Sequence, residues 1–320
     1  MKLVKAAIGT ELASFEKYFK EAFESDVFLL DKILRYLTRQ KGKQMRPMFV
    51  LLCARLGGEI NEQSFRAALV VEMLHTSSLV HDDIVDDSML RRGAFSVNAL
   101  WKNNAAVLTG NVLFSKSISL LLDNGDHRTL EIFASSIKKV IEGELLQIGK
   151  SKKLNFDEEV YYEIINGKTA TLLASACEAG AASTFNDDSL VQKLYDFGEN
   201  LGIAFQIKDD LFDYGKAEVG KPTRNDIKEK KLTLPLIYTL NNCDKSLRRK
   251  LIRIVKHKST DEASLDYLVA EVEKHGGLKY AEEKMLEYRE KALTLLFEFP
   301  ESETRDALEE LVKFTTDRSI

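Results

Sequence analysis

The sequence predicts an all-α fold, and three features of the chain support that class. Proline occurs at only four of 320 positions, so long stretches contain no residue that interrupts a helix. Apolar residues recur at helical spacing in many windows. Alternating strand patterns bounded by Asn-Gly or Asp-Gly turns are scarce. Helices are therefore expected to form the core.

The predicted helices follow one another without a clear linker. The clearest apolar windows, in chain order, are Phe15 to Phe23, Phe65 to Met73, Ile132 to Ile141 and Leu190 to Leu201. Turn-forming residues place connections near 57–58, 124–126, 185–188, 214–231 and 241–245. Length alone allows one or two domains, but no connection has the composition of an interdomain linker. We therefore interpret residues 1–320 as a single helical bundle domain.

Composition excludes several classes of function. The chain is 44% hydrophobic and 30% charged, which is typical of a globular protein with a large core. A net charge of -4 gives no overall basic surface, so no nucleic-acid partner is predicted. Cys53, Cys177 and Cys243 are far apart and form no CxxC pair, which predicts neither a zinc site nor a disulfide framework.

The same features predict a cytoplasmic protein without a transmembrane segment. Three scattered cysteines are typical of a reducing compartment. The first residues alternate charged and apolar side chains and lack the apolar run of a signal peptide. The longest weakly polar stretch, residues 170–184, contains Glu178 and is too short and too mixed to span a bilayer.

Two aspartate clusters carry the strongest chemical signal. Asp82 to Asp86 and Asp209 to Asp213 each contain DDxxD. On a helix the first and fifth carboxylates lie above one another and repel, so a compensating cation is expected. Magnesium fits because it takes one or two carboxylates and completes its shell with water and phosphate oxygens. A single DDxxD would more often be a solvated helix face, but two in one chain are difficult to attribute to chance.

Basic residues accompany these clusters. Arg91 and Arg92 follow the first cluster, and Lys221 and Lys231 follow the second. Lys43 and Arg46 precede an expected helix start at Pro47, where the helix dipole favours an anion. Arginine grips phosphate oxygens bidentately and lysine acts as a movable point charge. Together they predict sites for two diphosphate groups.

This combination resembles the trans-prenyltransferase family, the head-to-tail polyprenyl diphosphate synthases, in particular its long-chain, octaprenyl-type members. The matching motifs are the GKxxRP box at 42–47, DDxxD with RRG at 82–93, Gly-Lys-Thr at 167–169, and the stretch from Gln206 to Lys231. The resemblance covers nearly the whole chain. It implies a helical bundle of the isoprenoid synthase type that surrounds a central cavity.

The resemblance also implies site residues. Isopentenyl diphosphate would be held by Lys43, Arg46, His75 and Arg92. The allylic diphosphate would be held by Arg91, Lys168, Thr169, Gln206, Lys221 and Lys231. Three Mg²⁺ ions per active site would be bound by Asp82, Asp83, Asp86, Asp209, Asp210 and Asp213, and catalysis would rest on these aspartates together with Arg91 and Lys168. Two departures from the family pattern are the loss of one basic residue in the GGKRxRP box, and Asn111 where aspartate is common.

The implied reaction condenses an allylic prenyl diphosphate with successive isopentenyl diphosphate units into a long all-trans chain, in a homodimer. Ser77 and Ser78 lie about one helical turn, roughly 5.4 Å, before Asp82. Short-chain members of the family carry bulky aromatic residues there, so two small residues predict that the growing tail passes this level. Deeper candidates for the floor of the tunnel are Leu74, Val70, Phe114 and Phe133.

Three alternatives compete with this interpretation. A class I terpene cyclase is also helical and magnesium-dependent, but it normally pairs one Asp-rich motif with an NSE/DTE-type site. An inactive partner subunit of a heteromeric prenyltransferase usually loses aspartates or phosphate-binding cations, and neither cluster has lost an aspartate. A purely structural helical protein would not gain stability from magnesium and a diphosphate analogue.

Overall fold

The computed structural model describes residues 1–40, 42–91, 93–153, 157–215, 225–229 and 231–317. Within them the first elements are α1 (Lys2–Ala22), α2 (Phe28–Arg39), α3 (Met45–Gly57), α4 (Glu62–Val85), β1 (Leu90–Arg91), β2 (Ala94–Phe95), α5 (Val97–Asp123), α6 (His127–Lys153) and α7 (Glu158–Ile165). A π-helical turn (Asn166–Ala170) follows, and then α8 (Thr171–Ala182), α9 (Asp188–Phe212), α10 (Asn225–Lys228), α11 (Leu234–Asn242), α12 (Lys245–His257), α13 (Glu262–Lys274), α14 (Gly277–Phe297) and α15 (Glu303–Thr316). The prediction of an all-α protein is confirmed.

Polar side chains fix several helix starts. Asn61 accepts from the backbone N–H of Ser64, whose hydroxyl in turn accepts from the Asn61 backbone N–H, so a capping box begins α4. Asp157, Asp244 and Asp261 cap α7, α12 and α13 in the same sense. Each cap satisfies amide groups that have no partner within their helix, and therefore helps to fix where that helix begins.

The described chain forms two compact units. The first contains residues Met1–Ser135, Ser175–Tyr195 and Pro300–Glu310. The second contains Ser136–Ala174, Asp196–Phe299 and Leu311–Ile320. The assignment of residues 1–320 to one domain stays a prediction.

In the first unit, α4 is the central element and packs against α1, α3 and α5. Its side chains Val70, Met73 and Leu74 are buried. The Ser77 hydroxyl donates to the Gly110 carbonyl of α5 over 2.9 Å. Close packing against α5 thus fixes the helix that leads into the first aspartate cluster.

In the second unit, α11 packs against α7, α12, α13 and α14. A Cβ atom on Gly277, at the start of α14, would lie within 2.5 Å of the Thr239 hydroxyl, so only glycine permits this approach. Apolar residues of α9, including Ile203, Ile207 and Leu211, are buried in the same core. This packing positions the end of α9, which carries the second aspartate cluster.

Helix α5 presents apolar side chains to the outside of the first unit. Leu100, Val107, Leu108, Phe114 and Leu122 are between 40% and 64% exposed. Among the described residues, α5 is one helix whose length and composition would allow it to cross a membrane, a test that core helices of soluble proteins also pass.

Candidate active site

The first aspartate cluster lies at the carboxyl end of α4. Asp82 and Asp83 belong to the helix, whereas Asp86 is its C-cap residue and Asp87 lies just beyond it. The Asp86 backbone N–H still donates to the Asp82 carbonyl over 2.8 Å, so the predicted spacing of the first and fifth carboxylates is preserved. Carboxylates at the negative end of a helix dipole raise the local negative potential. The site therefore favours a cation more strongly than a mid-helix cluster would.

Two residues with positive φ flank predicted site residues in the first unit. Asp87 has φ 50° and Gln44, the residue before α3, also has φ 50°. This left-handed conformation costs energy for residues other than glycine, and such strain concentrates at functional sites. Helix α3 begins at Met45, two residues before the predicted start at Pro47, because Gln44 turns the chain there.

Asp83 is buried and bound by Arg91. The Arg91 guanidinium contacts the same Asp83 oxygen through Nη2 at 2.6 Å and Nε at 2.8 Å. A two-stranded hairpin brings Arg91 back over the helix, and Gly93 at φ 78° makes the turn between its strands. Burial raises the pKa of Asp83, and the neighbouring arginine opposes that rise. Asp83 and Arg91 therefore behave as one unit.

The second cluster also contains one buried aspartate that is held by other side chains and one that is exposed. Asp209 is exposed on α9, whereas Asp210 is buried and both of its oxygens accept hydrogen bonds. Gln206 Nε2 donates to Asp210 Oδ1 over 3.0 Å, and the Tyr161 hydroxyl donates to Asp210 Oδ2 over 2.8 Å. Asp213 lies one residue past the end of α9 and is buried. The second aspartate of each DDxxD is thus held by protein side chains, while the first is more accessible.

Two carboxyl groups near this cluster have strongly raised pKa values. Burial, followed by the charge of Asp226, raises the pKa of Asp210 to about 8. Burial, followed by the charge of Asp213, raises the pKa of Asp226 to about 7. Several carboxylates share a poorly solvated volume, so their ionised forms repel one another. A divalent cation would relieve that repulsion.

A π-helical turn presents Lys168 and Thr169. Gly143 of α6 and Gly167 pack closely: a Cβ on Gly143 would lie 3.0 Å from the Lys168 backbone nitrogen. Lys168 Nζ lies 2.6 Å from Glu144 Oε1 and donates to Gln147 Oε1 over 3.3 Å. These two residues of α6 hold the Lys168 side chain in place. π-Helical turns are rare and occur often at functional sites, which agrees with a functional role for Lys168.

Thr169 connects the π-helical turn to the second cluster. Its hydroxyl donates to Gln206 Oε1 over 2.7 Å, and the amide of Gln206 donates to Asp210. Close packing of α9 against the π-helical turn aligns Gln206 with Thr169. A Cβ on Gly202, one turn before Gln206, would lie 2.5 Å from the Ala170 Cα, so only glycine allows this approach. The structure thus brings the predicted residues Thr169, Gln206 and Asp210 into one hydrogen-bonded chain.

The other predicted cations have separate locations. Lys231 Nζ lies 2.5 Å from Glu229 Oε2 and 3.9 Å from Asp226 Oδ1. Lys43 is exposed two residues before α3, Arg46 is half-buried in its first turn, and His75 is half-buried on α4. Arg92 and Lys221 lie outside the described residues.

The residues predicted to set product length lie on α4 as expected. Ser77 and Leu74 are buried, and Ser78 is half-buried. Of the other deep positions, Phe133 is buried but Phe114 is 40% exposed. A cavity of about 40 Å³ lies beside the Asp83–Arg91 pair, lined by Phe19, Phe23 and Glu72 among others. It has room for a few water molecules.

The donor set suits magnesium. No group of three or more His, Cys, Asp or Glu side chains converges on one point among the described residues, so the protein there offers no closed all-protein metal cage. Mg²⁺ rarely uses one: it takes one or two carboxylates and fills its octahedron with water and phosphate oxygens. Asp82 on α4, Asp86 at its C-cap and Asp209 on α9 offer oxygens of the required kind.

Four residues that belong to this description were missed by sequence analysis: Tyr161, Asp226, Glu144 and Gln147. Asp226 had a detectable signal, because it is an acidic residue between the predicted cations Lys221 and Lys231. Tyr161 had none, since its partner Asp210 is 49 residues away in sequence.

Comparison with known proteins gives consistent matches. Residues 27–272 match the family model of polyprenyl synthetases. An all-trans-nonaprenyl-diphosphate synthase (geranyl-diphosphate specific) from Rhodobacter capsulatus is 35% identical over 98% of this chain and 97% of its own length. Heptaprenyl diphosphate synthase component 2 from Geobacillus stearothermophilus is 32% identical over 98% of both chains. A crystal structure of a Caulobacter crescentus polyprenyl synthase, complexed with calcium and isoprenyl diphosphate, superposes with a TM-score of 0.93 at 34% identity, covering 100% of this chain and 98% of that one.

Proposed function

This chain belongs to the polyprenyl synthetase family, and we propose that its two aspartate clusters bind the magnesium ions of an allylic diphosphate during chain elongation. The protein is a trans-prenyltransferase that condenses an allylic prenyl diphosphate with successive isopentenyl diphosphate units into a long-chain all-trans polyprenyl diphosphate. The observation that carries the magnesium proposal is the pair of DDxxD clusters at the carboxyl ends of α4 and α9.

Three Mg²⁺ ions would neutralise the diphosphate and stabilise the charge that develops on it when it leaves. The Caulobacter polyprenyl synthase is complexed with calcium and isoprenyl diphosphate, which supports binding of a divalent cation and a diphosphate in this family. We assign Asp82, Asp86 and Asp209, which are at least partly exposed, to direct contact with the ions, and the buried Asp213 to the same sites.

Asp83 and Asp210 have a different role in this proposal. Their oxygens already accept hydrogen bonds from Arg91, and from Gln206 and Tyr161. They therefore contribute charge to the metal sites and hold their neighbours in place. The sequence predicted that all six aspartates bind magnesium, and this proposal gives two of them an indirect role.

The cations would orient and stabilise the leaving diphosphate. Arg91, Lys168 and Lys231 each pair with a carboxylate in the described structure, so the position of each cation is fixed before a diphosphate binds. Thr169 and Gln206 would position the same group, and the resemblance assigns Lys221 to it as well. Charge on the leaving group develops as the allylic C–O bond breaks, and preorganised cations stabilise it without reorganisation.

Isopentenyl diphosphate would be held by Lys43, Arg46, His75 and Arg92, with its double bond close to the allylic cation. Fixing both reactants removes most of the entropic cost of their encounter. Attack forms the new carbon–carbon bond, and the proton lost from the adduct passes to the released diphosphate. No side-chain base is then required.

The growing tail would pass along α4 beyond the first cluster. Ser78 is half-buried at the level where a bulky aromatic side chain would block the tail, Ser77 beside it is a small residue held by α5, and Leu74 lies one turn deeper than Ser78. This arrangement supports a long product.

We further propose that the enzyme is a cytoplasmic homodimer in which the apolar face of α5 is covered by a second copy. Five apolar side chains of this helix are at least 40% exposed, and exposed apolar side chains grouped on one element are typical of protein–protein interfaces. Sedimentation of the wild-type protein and of Leu108→Glu tests this: a dimer that becomes a monomer in the variant is expected. A wild-type monomer that needs a second component for activity would contradict it.

One assay tests the proposed function. Purified protein is incubated with labelled isopentenyl diphosphate, farnesyl diphosphate and Mg²⁺ or EDTA, and the products are resolved by size. We expect long all-trans products that depend on magnesium, and losses on the order of 10²-fold or more in Asp82→Asn and Asp209→Asn. Cyclised hydrocarbon products would instead indicate a terpene cyclase, and no product from the isolated chain would indicate an inactive subunit.

A further inference from the structure

Helix α12 and the residue after it carry many basic residues and no acidic ones, although the protein as a whole is acidic. Lysine or arginine occupies seven positions between 245 and 258, and neither aspartate nor glutamate occurs there, although the net charge of the chain is -4. The apolar residues Leu251, Ile254 and Val255 are buried against the core of the second unit. Four of the seven basic residues lie on the opposite face of the helix.

Four of these cations form a stripe: Lys245, Arg249, Arg253 and Lys256, which we call the α12 stripe. All four are exposed. Their spacing of four, four and three residues places them on one side of the helix, over a length of roughly 17 Å at 1.5 Å per residue. Neighbouring members repel each other, so the stripe weakens the helix unless an anion covers it.

The stripe differs from other exposed cations of the chain. Lys17, Lys138, Lys279 and Lys291 each lie within 4.0 Å of a glutamate one helical turn away. Within the described ranges, none of the four stripe residues lies within ion-pair distance of a carboxylate. Two other basic residues of α12 are used internally: Arg248 donates to the Leu240 carbonyl over 2.9 Å, and Lys250 lies 3.5 Å from the ring centroid of Tyr267.

We propose that the α12 stripe docks this enzyme on an anionic lipid surface. A row of uncompensated cations on one helix face matches a layer of anionic headgroups, and each basic residue near such a surface strengthens binding about fivefold. The product supports this choice of partner, because a long polyprenyl chain is insoluble in water and must reach a bilayer.

The buried apolar face determines the kind of contact. Because Leu251, Ile254 and Val255 belong to the core, α12 adsorbs through its charges and does not insert. Binding is therefore reversible and weakens as salt is added. A nucleic-acid partner is less consistent with the chain, since its sequence pI is near 5.9.

Vesicle sedimentation tests the proposal independently of catalysis. The full-length protein is mixed with vesicles of phosphatidylglycerol and phosphatidylcholine, or of phosphatidylcholine alone, at low and high salt. The test variant carries Lys245→Gln, Arg249→Gln, Arg253→Gln and Lys256→Gln. The control variant removes the same charge from paired sites through Lys17→Gln, Lys138→Gln, Lys279→Gln and Lys291→Gln.

We expect wild type and control to sediment with anionic vesicles at low salt only, and the stripe variant to bind at least about 100-fold more weakly. Product formation in detergent should be the same in all three proteins, which separates a failure of docking from a failure of the proposed reaction. Equal vesicle binding by the stripe and control variants would overturn the proposal. So would stripe-dependent binding of duplex DNA without any preference for anionic vesicles.

Discussion

Arg91 contacts a single oxygen of Asp83 through two nitrogens, Nη2 at 2.6 Å and Nε at 2.8 Å. A residue proposed to bind diphosphate is thus held by a residue of the DDxxD cluster. The first prediction follows from this contact. Asp83→Asn removes the charge that orients Arg91, so we expect kcat to fall roughly 10- to 100-fold, while the magnesium concentration for half-maximal rate changes little.

Variants of Asp82 and Asp87 test whether Asp83 orients Arg91 or binds magnesium directly. Asp82→Asn should raise the magnesium requirement strongly, because Asp82 is a proposed direct ligand. Asp87→Asn is the matched control, since asparagine also tolerates the positive φ at that position. If Asp83→Asn raised the magnesium requirement as much as Asp82→Asn, Asp83 would be a direct ligand and not a positioning residue.

The Tyr161 hydroxyl provides a second prediction. Tyr161→Phe removes the donor to Asp210 Oδ2, a hydrogen bond that favours the ionised form of Asp210 that magnesium requires. We expect the half-saturating magnesium concentration to rise about tenfold, because Asp210 is no longer fixed. Steady-state rates measured over a magnesium series would show this.

The neighbouring tyrosine supplies the control for that experiment. The buried hydroxyl of Tyr162 has no hydrogen-bond partner in the described part of the chain. Tyr162→Phe should therefore leave the magnesium dependence unchanged. Identical behaviour of the two variants would show that the Asp210 contact is irrelevant to metal binding.

Stability should depend on pH in a direction fixed by Asp210 and Asp226. Their folded-state pKa values of about 8 and about 7 lie above the ordinary value of 3.8. The folded protein therefore holds more protons than the unfolded chain between about pH 4 and pH 8, so the free energy of unfolding falls as the pH rises through this range. Ligand-free protein should be more stable at pH 5 than at pH 8 with respect to these groups.

Urea unfolding at several pH values measures this slope. Asp226→Asn should flatten it, because one proton-binding group and its repulsion of Asp213 are removed. Adding Mg²⁺ with pyrophosphate should restore stability at pH 8, since ligand binding favours the folded state. A surface control, Asp123→Asn, should keep the wild-type slope. An unchanged slope in Asp226→Asn would contradict the assignment.

Product length offers a fourth prediction. Ser78 is half-buried and has room for change, whereas Ser77 is buried with its hydroxyl bonded to Gly110. Ser78→Phe should shorten the products, because the aromatic ring would block the tail one turn below Asp82. Ser77→Phe should chiefly destabilise the fold, since overpacking between α4 and α5 costs about 1–3 kcal/mol.

Chromatography of the products from wild type, Ser78→Phe and Ser78→Ala checks this prediction. Alanine preserves the space and should preserve the length. Products of unchanged length from a folded Ser78→Phe variant would place the tail elsewhere.

The sequence by itself determined the helical class and the chemistry of the candidate residues. Helical periodicity and DDxxD spacing are local properties, because residues three and four apart face the same side of a helix wherever that helix lies. The location of Asp82, Asp83, Asp209 and Asp210 on helices follows from that information, whereas their position near the carboxyl ends of α4 and α9 comes from the structure.

Only the tertiary structure decided which side chains meet. Tyr161 donates to Asp210, which is 49 residues away in sequence, and the charge of Asp226 raises the pKa of Asp210. Lys168 is paired with Glu144 where Gly143 packs closely against Gly167. It also separated the held aspartates Asp83 and Asp210 from the accessible Asp82 and Asp209. The physical reason is that hydrogen-bond partners, burial and pKa depend on how helices distant in sequence pack together. The spacing of residues within one helix does not determine that packing.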